Sequence, residues 1–189
     1  MAPFSTPSDA QLFFDVYAAR QGSLAEAARM LSDLGSGWSM LALLPLYAVA
    51  SWRRFALWLT GTLATSATLV FLIKALVGRP RPCVALPGVQ ALCAMPTDPS
   101  FPSGHACGSF TVAAFLVVAM YAAPAPRGAL RAVLAVSLVL LASAIAWSRV
   151  YLGVHFPGDV FAGALLGAVV GGLAALRMSR LSVPSPAGP

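Results

Sequence analysis

Five stretches of this chain are apolar almost without interruption: residues 34–52, 55–77, 105–123, 129–147 and 160–176. A hydrocarbon core about 30 Å thick is crossed by roughly 17–25 mostly apolar residues in a helix, so each stretch can span a bilayer. None alternates with period two, and all exceed the ordinary length of a strand, which leaves helix. Turn chemistry separates them: Arg53-Arg54, a long proline-rich loop, Pro124-Ala125-Pro126-Arg127-Gly128, and a loop ending Phe156-Pro157-Gly158-Asp159. The pattern predicts an all-α integral membrane protein, a helical bundle of about five transmembrane helices.

The first 35 residues follow another rule. Leu12, Phe13, Val16 and Tyr17, then Leu24, Ala28, Leu31 and Leu34, recur at helical spacing, while Asp15, Arg20, Glu26, Arg29 and Asp33 interrupt any continuous span. That predicts one or two amphipathic helices lying on the membrane surface over residues 1–35. A cleaved signal peptide fits poorly, because no basic start leads into a clean apolar run. The transmembrane domain is expected over residues 36–180, and the tail 181–189 has nothing to bury and is expected to be disordered.

Composition sharpens the picture. Hydrophobic types make up 59% of the 189 residues and charged types only 10%, against about 25% charged in a typical soluble domain. Too few charges remain to cover a water-exposed surface, and disorder, which needs low hydrophobicity and high charge, is excluded more firmly still. A net charge of +6 would suggest nucleic acid in a soluble protein, but there is one lysine and no basic run longer than two residues. No nucleic-acid partner is expected. Alternating the spans instead places Arg53, Arg54, Arg127, Arg131, Arg177 and Arg180 on one side with no acidic residue. By the positive-inside rule that side is cytoplasmic. The other six basic residues and all six acidic ones share the outer side and cancel. Compact length and an Ala- and Arg-rich composition suit a bacterial inner membrane, with both long loops facing the periplasm or the outside.

Those outer loops gather the reactive groups. Lys74, Arg79, Arg81 and Arg149 sit at span ends there, with both histidines, His105 and His155, and with Asp98 and Asp159. Ionisable residues at span ends are functional suspects. Four cations with few acids nearby ask for an anion, and the guanidinium fork suits phosphate. Phe101-Pro102-Ser103-Gly104-His105 reads as a phosphate cradle at the positive end of the third span, Ser103 offering a hydroxyl and Gly104 a close backbone approach. His155 and Asp159 are four apart. A carboxylate there can bond one ring nitrogen, fix the tautomer and leave the other free to attack phosphorus. His105 is then placed to protonate the departing oxygen and later to activate water. No Cys/His/carboxylate group has metal-ligand spacing, so no metal or other cofactor is expected and the arginines must carry the charge stabilisation.

Three of these segments together resemble a known family. Lys74-Ala75-Leu76-Val77-Gly78-Arg79-Pro80-Arg81-Pro82 matches Lys-x6-Arg-Pro, Pro102-Ser103-Gly104-His105 matches a second motif, and Ser148-Arg149-x5-His155-x3-Asp159 a third. In this order they are similar to the type 2 phosphatidic acid phosphatase superfamily, relatives of bacterial acid phosphatases and vanadium haloperoxidases. The resemblance implies His155 as the phosphorylated nucleophile oriented by Asp159, and His105 as general acid. It implies phosphoryl binding by Lys74, Arg81, Ser103, Gly104 and Arg149, and no metal requirement. It also implies that this chain lacks the first of the six spans found in larger bacterial members.

The expected activity is hydrolysis of a membrane lipid phosphate or pyrophosphate through a phosphohistidine. An isoprenoid diphosphate such as undecaprenyl diphosphate stands first, then phosphatidylglycerophosphate, phosphatidate and lipid A phosphates. A lipid phosphotransferase would keep the same intermediate. A lipid carrier or transporter is the non-enzyme alternative, although transporter sites lie near the bilayer midplane and these charges cluster at one face. Arg79 lies outside the fixed motif positions and is expected either to contact phosphate or the headgroup or to be solvated. Cys83 and Cys93 share the outer loop and could form a disulfide, while Cys107 reads as a small core residue. Gly163, Gly167 and Gly171 form a small-xxx-small stripe for close helix packing. Trp38, Trp52, Trp147 and Tyr151 read as an interfacial belt.

Overall fold

The computed structural model describes residues 7–20, 22–123 and 128–181, so Arg127 and the expected disordered tail beyond Leu181 lie outside the described residues. Among the described residues every regular element is helical. In chain order these are α1 (Pro7–Ala18), α2 (Gly22–Leu34), a 3-10 segment (Gly37–Leu43), α3 (Leu44–Ala48), α4 (Ala50–Val77), α5 (Pro82–Ala85), α6 (Gly104–Ala122), α7 (Ala129–Tyr151) and α8 (Pro157–Arg180). Four of the described helices, α4, α6, α7 and α8, are long and apolar enough to cross a membrane. Large apolar side chains face outward along them, among them Phe71, Leu76, Val133, Leu140, Phe161 and Leu173. In water such a surface would drive association; around a ring of long helices it is the face turned to lipid. The protein is an integral membrane protein.

Successive spans alternate in direction, so α6 and α8 run parallel and both begin at the end where α4 and α7 finish. The glycine stripe sets how closely that parallel pair packs. A Cβ on Gly163 would fall inside contact with the Ser103 carbonyl, on Gly167 with the Cys107 carbonyl, and on Gly171 with the Thr111 carbonyl. Gly167→Ala must therefore push the two backbones apart. It is expected to cost about 1–3 kcal/mol, as overpacking does, read as a lower melting temperature in detergent with a parallel loss of activity. An unchanged melting temperature would mean that α8 does not seat on α6 in this way. Midway along the bundle the Ser66 and Thr111 hydroxyls pair at 2.8 Å, satisfying two buried polar groups between α4 and α6.

The expected first span over residues 34–52 is not one helix. Gly35 and Gly37 open the segment, and Pro45 starts a new helix at the head of α3. The backbone stays helical through Pro45, changing there from 3-10 to α, and becomes extended only at Val49 (φ −93°, ψ 111°), between α3 and α4. The chain still descends beside α4: Leu43 packs in the cluster around Leu59 and Phe115, and the Tyr47 hydroxyl bonds Thr60 Oγ1 at 2.6 Å. A hydropathy window sees the apolar content of this segment but not its interruption.

The amphipathic pattern of α1 and α2 is realised, with the buried face turned to protein. Phe13 is fully buried, against Val89, Val150 and Phe156. Ala25 and Ala28 pack on Tyr151, Leu152 and Val154. Gln90 N–H donates to the Tyr17 hydroxyl at 2.9 Å, and Arg29 Nε to the Leu92 carbonyl at 2.7 Å. Both helices therefore cover the end of the bundle where α6 and α8 begin, while Leu12, Leu24 and Met30 stay exposed. Tyr151, expected in the interfacial belt, is buried beneath α2, whereas Trp52 and Trp147 are exposed at span ends. Cys107 is buried as expected. Cys83 and Cys93 are free thiols; Cys83 packs with the Phe13 cluster and Cys93 with the Ala25 cluster.

Candidate active site

Each motif residue is delivered by a helix end. Lys74 stands in the last turn of α4, which Gly78 ends in the left-handed conformation at φ 61° with its N–H on the Lys74 carbonyl. That turn leads into Arg79-Pro80-Arg81, where Arg81 is extended at the head of α5. Ser103 caps the N-terminus of α6, and Arg149 lies in the last turn of α7. Gly153, at φ 79°, turns the chain back toward α8; a Cβ there would also lie 3.0 Å from the Gln90 carbonyl. Asp159 sits at the third position of α8, so its Oδ2 accepts the Phe156 N–H at 2.9 Å and closes the first turn. Capping and contact with His155 thus hold together. Ser103 N–H donates to the Asp159 carbonyl oxygen at 2.9 Å, tying the starts of α6 and α8 to each other.

The buried imidazole of His155 has one arrangement that satisfies its neighbours. Arg81 Nη1 lies 3.0 Å from Nε2. A guanidinium only donates, so Nε2 accepts and the proton resides on Nδ1. Nδ1 faces Ser100 Oγ at 3.3 Å and Asp159 Oδ2 at 3.6 Å. Ser100 in turn donates to the same Asp159 oxygen at 2.5 Å. Burial pushes the His155 pKa down to about 4; the Arg81 and Arg149 charges add to this, while the bond to Asp159 opposes it. The ring is therefore neutral at pH 7, with its lone pair on Nε2.

The cations surround that ring. Lys74 Nζ contacts Asp98 Oδ2 at 2.8 Å and donates to the Pro99 carbonyl. Arg81 contacts Asp98 Oδ1 at 2.8 Å and also donates to the Asp98 and Val154 carbonyls, each at 2.9 Å. Burial alone would raise the Asp98 carboxyl, but Lys74 and Arg81 outweigh it and hold it at about 2. Arg149 donates to Ser32 Oγ. Its buried Nε has no partner among the described residues and is a donor that an anion could satisfy. His105, half-buried at the start of α6, lies within electrostatic reach of Arg149, His155, Arg81 and Asp98. The structure thus brings Lys74, Arg81, Ser103, Gly104, His105, Arg149, His155 and Asp159 to one end of the bundle. Among the described residues no cluster of three or more His, Cys, Asp or Glu is placed to hold a metal ion.

Arg79 is neither solvated nor open to a headgroup. It is 5% exposed, donates to Asp159 Oδ1 and to Asp9 Oδ2 at 2.6 Å each, and stacks 4.2 Å above the Phe156 ring. Ser100, Ser32 and Asp9 are site residues that sequence reasoning missed. Ser100 had a weak signal, standing three residues before Ser103 in the loop that leads into the second motif.

Below the cations opens a cavity of about 720 Å³ between α4, α6, α7 and the 35–43 segment. Lys74, Asp98 and Gly104 stand at its upper end, and Leu59, Val112, Leu138 and Ile145 line the rest.

Comparisons with known proteins agree with this architecture. The decaprenylphosphoryl-5-phosphoribose phosphatase of Mycobacterium tuberculosis is 41% identical over 160 residues, covering 82% of this chain and 80% of that protein. The bacitracin transport permease protein BcrC of Bacillus licheniformis is 32% identical over 162 residues, covering 75% and 74%. The crystal structure of Aquifex aeolicus LpxE is similar with a TM-score of 0.77 at 29% identity, over 92% of this chain and 98% of that one. A family model described as PAP2 superfamily matches residues 55–182, a region that holds all three sequence motifs, and the chain belongs to that superfamily.

Proposed function

We propose that this membrane lipid phosphatase acts on an isoprenoid-anchored phosphate, either an isoprenoid diphosphate such as undecaprenyl diphosphate or a polyprenyl-phosphoryl sugar phosphate. The observation that carries this is the apolar cavity of about 720 Å³ with Lys74, Asp98 and Gly104 at its edge, where the hydrocarbon anchor of a lipid can lie while its phosphate meets the cations. The isoprenoid class is taken from the Mycobacterium tuberculosis relative, named for a decaprenylphosphoryl substrate. The sugar phosphate enters because the Mycobacterium tuberculosis relative is named for such a substrate. Arg53, Arg54, Arg131, Arg177 and Arg180, at the opposite end of the described spans, favour a bacterial inner membrane with the site facing outward.

In the proposed reaction Lys74, Arg81, Arg149 and the α6 N-terminus at Ser103 and Gly104 hold the phosphoryl oxygens. Arg81 releases Nε2 as its guanidinium turns to the phosphate. Nε2 attacks phosphorus; the N–P bond forms as the P–O bond to the leaving group breaks, and His105 gives that oxygen a proton. Water then attacks the phosphohistidine, His105 takes its proton, and cleavage of the N–P bond frees phosphate. Asp159 holds Nδ1–H throughout and offsets the positive charge that develops on the ring.

Because His155 stays neutral down to about pH 4, the acid limb of kcat/KM belongs near that value and not at the ordinary histidine value of about 6.5. The sign follows from a lowered pKa: the reactive neutral ring persists further into acid and is lost only below about pH 4. A limb centred near 6.5 would mean that the ring is solvated.

The reading is tested with detergent-purified protein on a panel of undecaprenyl diphosphate, a polyprenyl-phosphoryl ribose phosphate, phosphatidylglycerophosphate, phosphatidate and lipid A, measuring phosphate release. The isoprenoid substrates are expected to react fastest, with vanadate inhibiting and EDTA leaving the rate unchanged. Faster release from a two-chain lipid would overturn the substrate class, and loss of activity in EDTA the metal-free mechanism. Transfer of labelled phosphate to a lipid acceptor without matching release would make the enzyme a phosphotransferase. No turnover of any substrate would leave the carrier role.

A further inference from the structure

We infer that Asp9, on the N-terminal helix α1, is a positioning residue for the phosphoryl transfer, acting on Asp159 and His155 through Arg79. The inference rests on the reading of His155 and Asp159 given above. Asp9 lies outside the family-matched region 55–182 and carries no motif. It reaches the site because Phe13, one helical turn further on, is fully buried against Phe156 and Val150 and fixes the face that α1 presents.

Two contacts make the connection. Asp9 Oδ2 pairs with Arg79 Nη2 at 2.6 Å while Arg79 Nη1 pairs with Asp159 Oδ1 at 2.6 Å. Asp9 Oδ1 also accepts the Gly158 N–H at 2.8 Å, capping the first turn of α8 beside Asp159. The fit is close: a Cβ on Gly158 would lie 3.0 Å from Asp9 Oδ2. The Arg79 side chain is only 7% exposed, so water does little to moderate its charge, and the two carboxylates share it.

That sharing sets how Asp159 treats His155. Each oxygen of Asp159 has its own work: Oδ1 meets Arg79, while Oδ2 meets Ser100, Phe156 N–H and the imidazole. Without the Asp9 charge, the whole guanidinium charge bears on Asp159. The carboxylate is then polarised toward Oδ1, and Oδ2 becomes a poorer partner for Nδ1–H. The ring is held less well, and the positive charge that grows on it when Nε2 bonds phosphorus is less stabilised. Asp9 touches no reacting atom; it divides Arg79 between two anions.

The test uses the full-length protein and the best substrate of the panel. Asp9→Asn keeps the shape and the acceptor for Gly158 but removes the charge. It is expected to lower kcat about tenfold with KM within about twofold. Asp9→Glu should recover most of the loss, and it also serves if Asp9→Asn folds poorly. In an Arg79→Gln background Asp9→Asn should cost nothing further, because the route through Arg79 is already cut. Unchanged kcat in Asp9→Asn, or the same loss with and without Arg79, would overturn the inference. Inactivity of the wild-type protein on every lipid phosphate would instead defeat the proposed function, so the two failures are distinguishable.

Discussion

His155→Ala is expected to lower kcat/KM by about 10,000-fold or more, the scale on which a covalent nucleophile is lost. The ring is buried, neutral and oriented by Arg81, Ser100 and Asp159, and no other histidine is placed to replace it: His105 stands at the start of α6. The measurement is phosphate release beside phosphoenzyme trapping. Wild-type protein quenched during turnover of phosphorus-labelled substrate should carry acid-labile, alkali-stable label, and His155→Ala none. An alanine variant that still formed the phosphoenzyme would remove His155 from the mechanism. Because the deletion leaves a buried hole, vanadate binding serves as the check that the cation site survives.

Asp159→Asn is expected to lower kcat by about 1,000- to 10,000-fold, as loss of the carboxylate that fixes a catalytic imidazole does elsewhere. Four donors converge on Asp159: Arg79, Ser100, Phe156 N–H and, at longer range, His155. An asparagine has one acceptor oxygen and brings two N–H groups of its own, so Arg79 and the imidazole cannot both be served. Breaking a buried ion pair from one side also costs about 3–5 kcal/mol, and a lower melting temperature should accompany the kinetic loss. The diagnostic result is a fall in kcat far larger than the change in KM. A variant with a lowered melting temperature but wild-type kcat would make Asp159 a helix cap and nothing more.

The chemistry was more legible in the sequence than the walls around it. Lys74, Arg81, Ser103, His105, Arg149, His155 and Asp159 were readable because each is polar at the end of an apolar run, where an ionisable group has few structural reasons to be. The pairing of His155 with Asp159 comes from the head of α8: His155 stands just before the N-cap Phe156, and Asp159 at the third helical position reaches back across it. Asp9 and Ser32 were not readable. Their partners lie in sequence 70 residues away at Arg79 and 117 away at Arg149, and an amphipathic pattern tells which face is buried but not what covers it. Arg79 was left between phosphate or headgroup contact and solvation for a related reason, since its carboxylate partners Asp9 and Asp159 lie far away in sequence. Hydropathy also overread residues 34–52, because the 3-10 stretch at 37–43 and the extended Val49 change the backbone without lowering the apolar content.

The glycine seam between α6 and α8 divides the molecule into parts of unequal freedom. With Cα surfaces in contact at Gly163, Gly167 and Gly171, and Ser103 bonded to Asp159 across their starts, the two parallel helices move as one body. His105 and Asp159 stand in the first turns of these two helices, at the top of that seam. The remaining wall of the cavity is made by α4, α7 and the interrupted segment at 35–43, and among the described residues no glycine seam like this one binds these together. A lipid chain of the proposed substrate would therefore be accommodated on that side, while His105 and Asp159 stay in register.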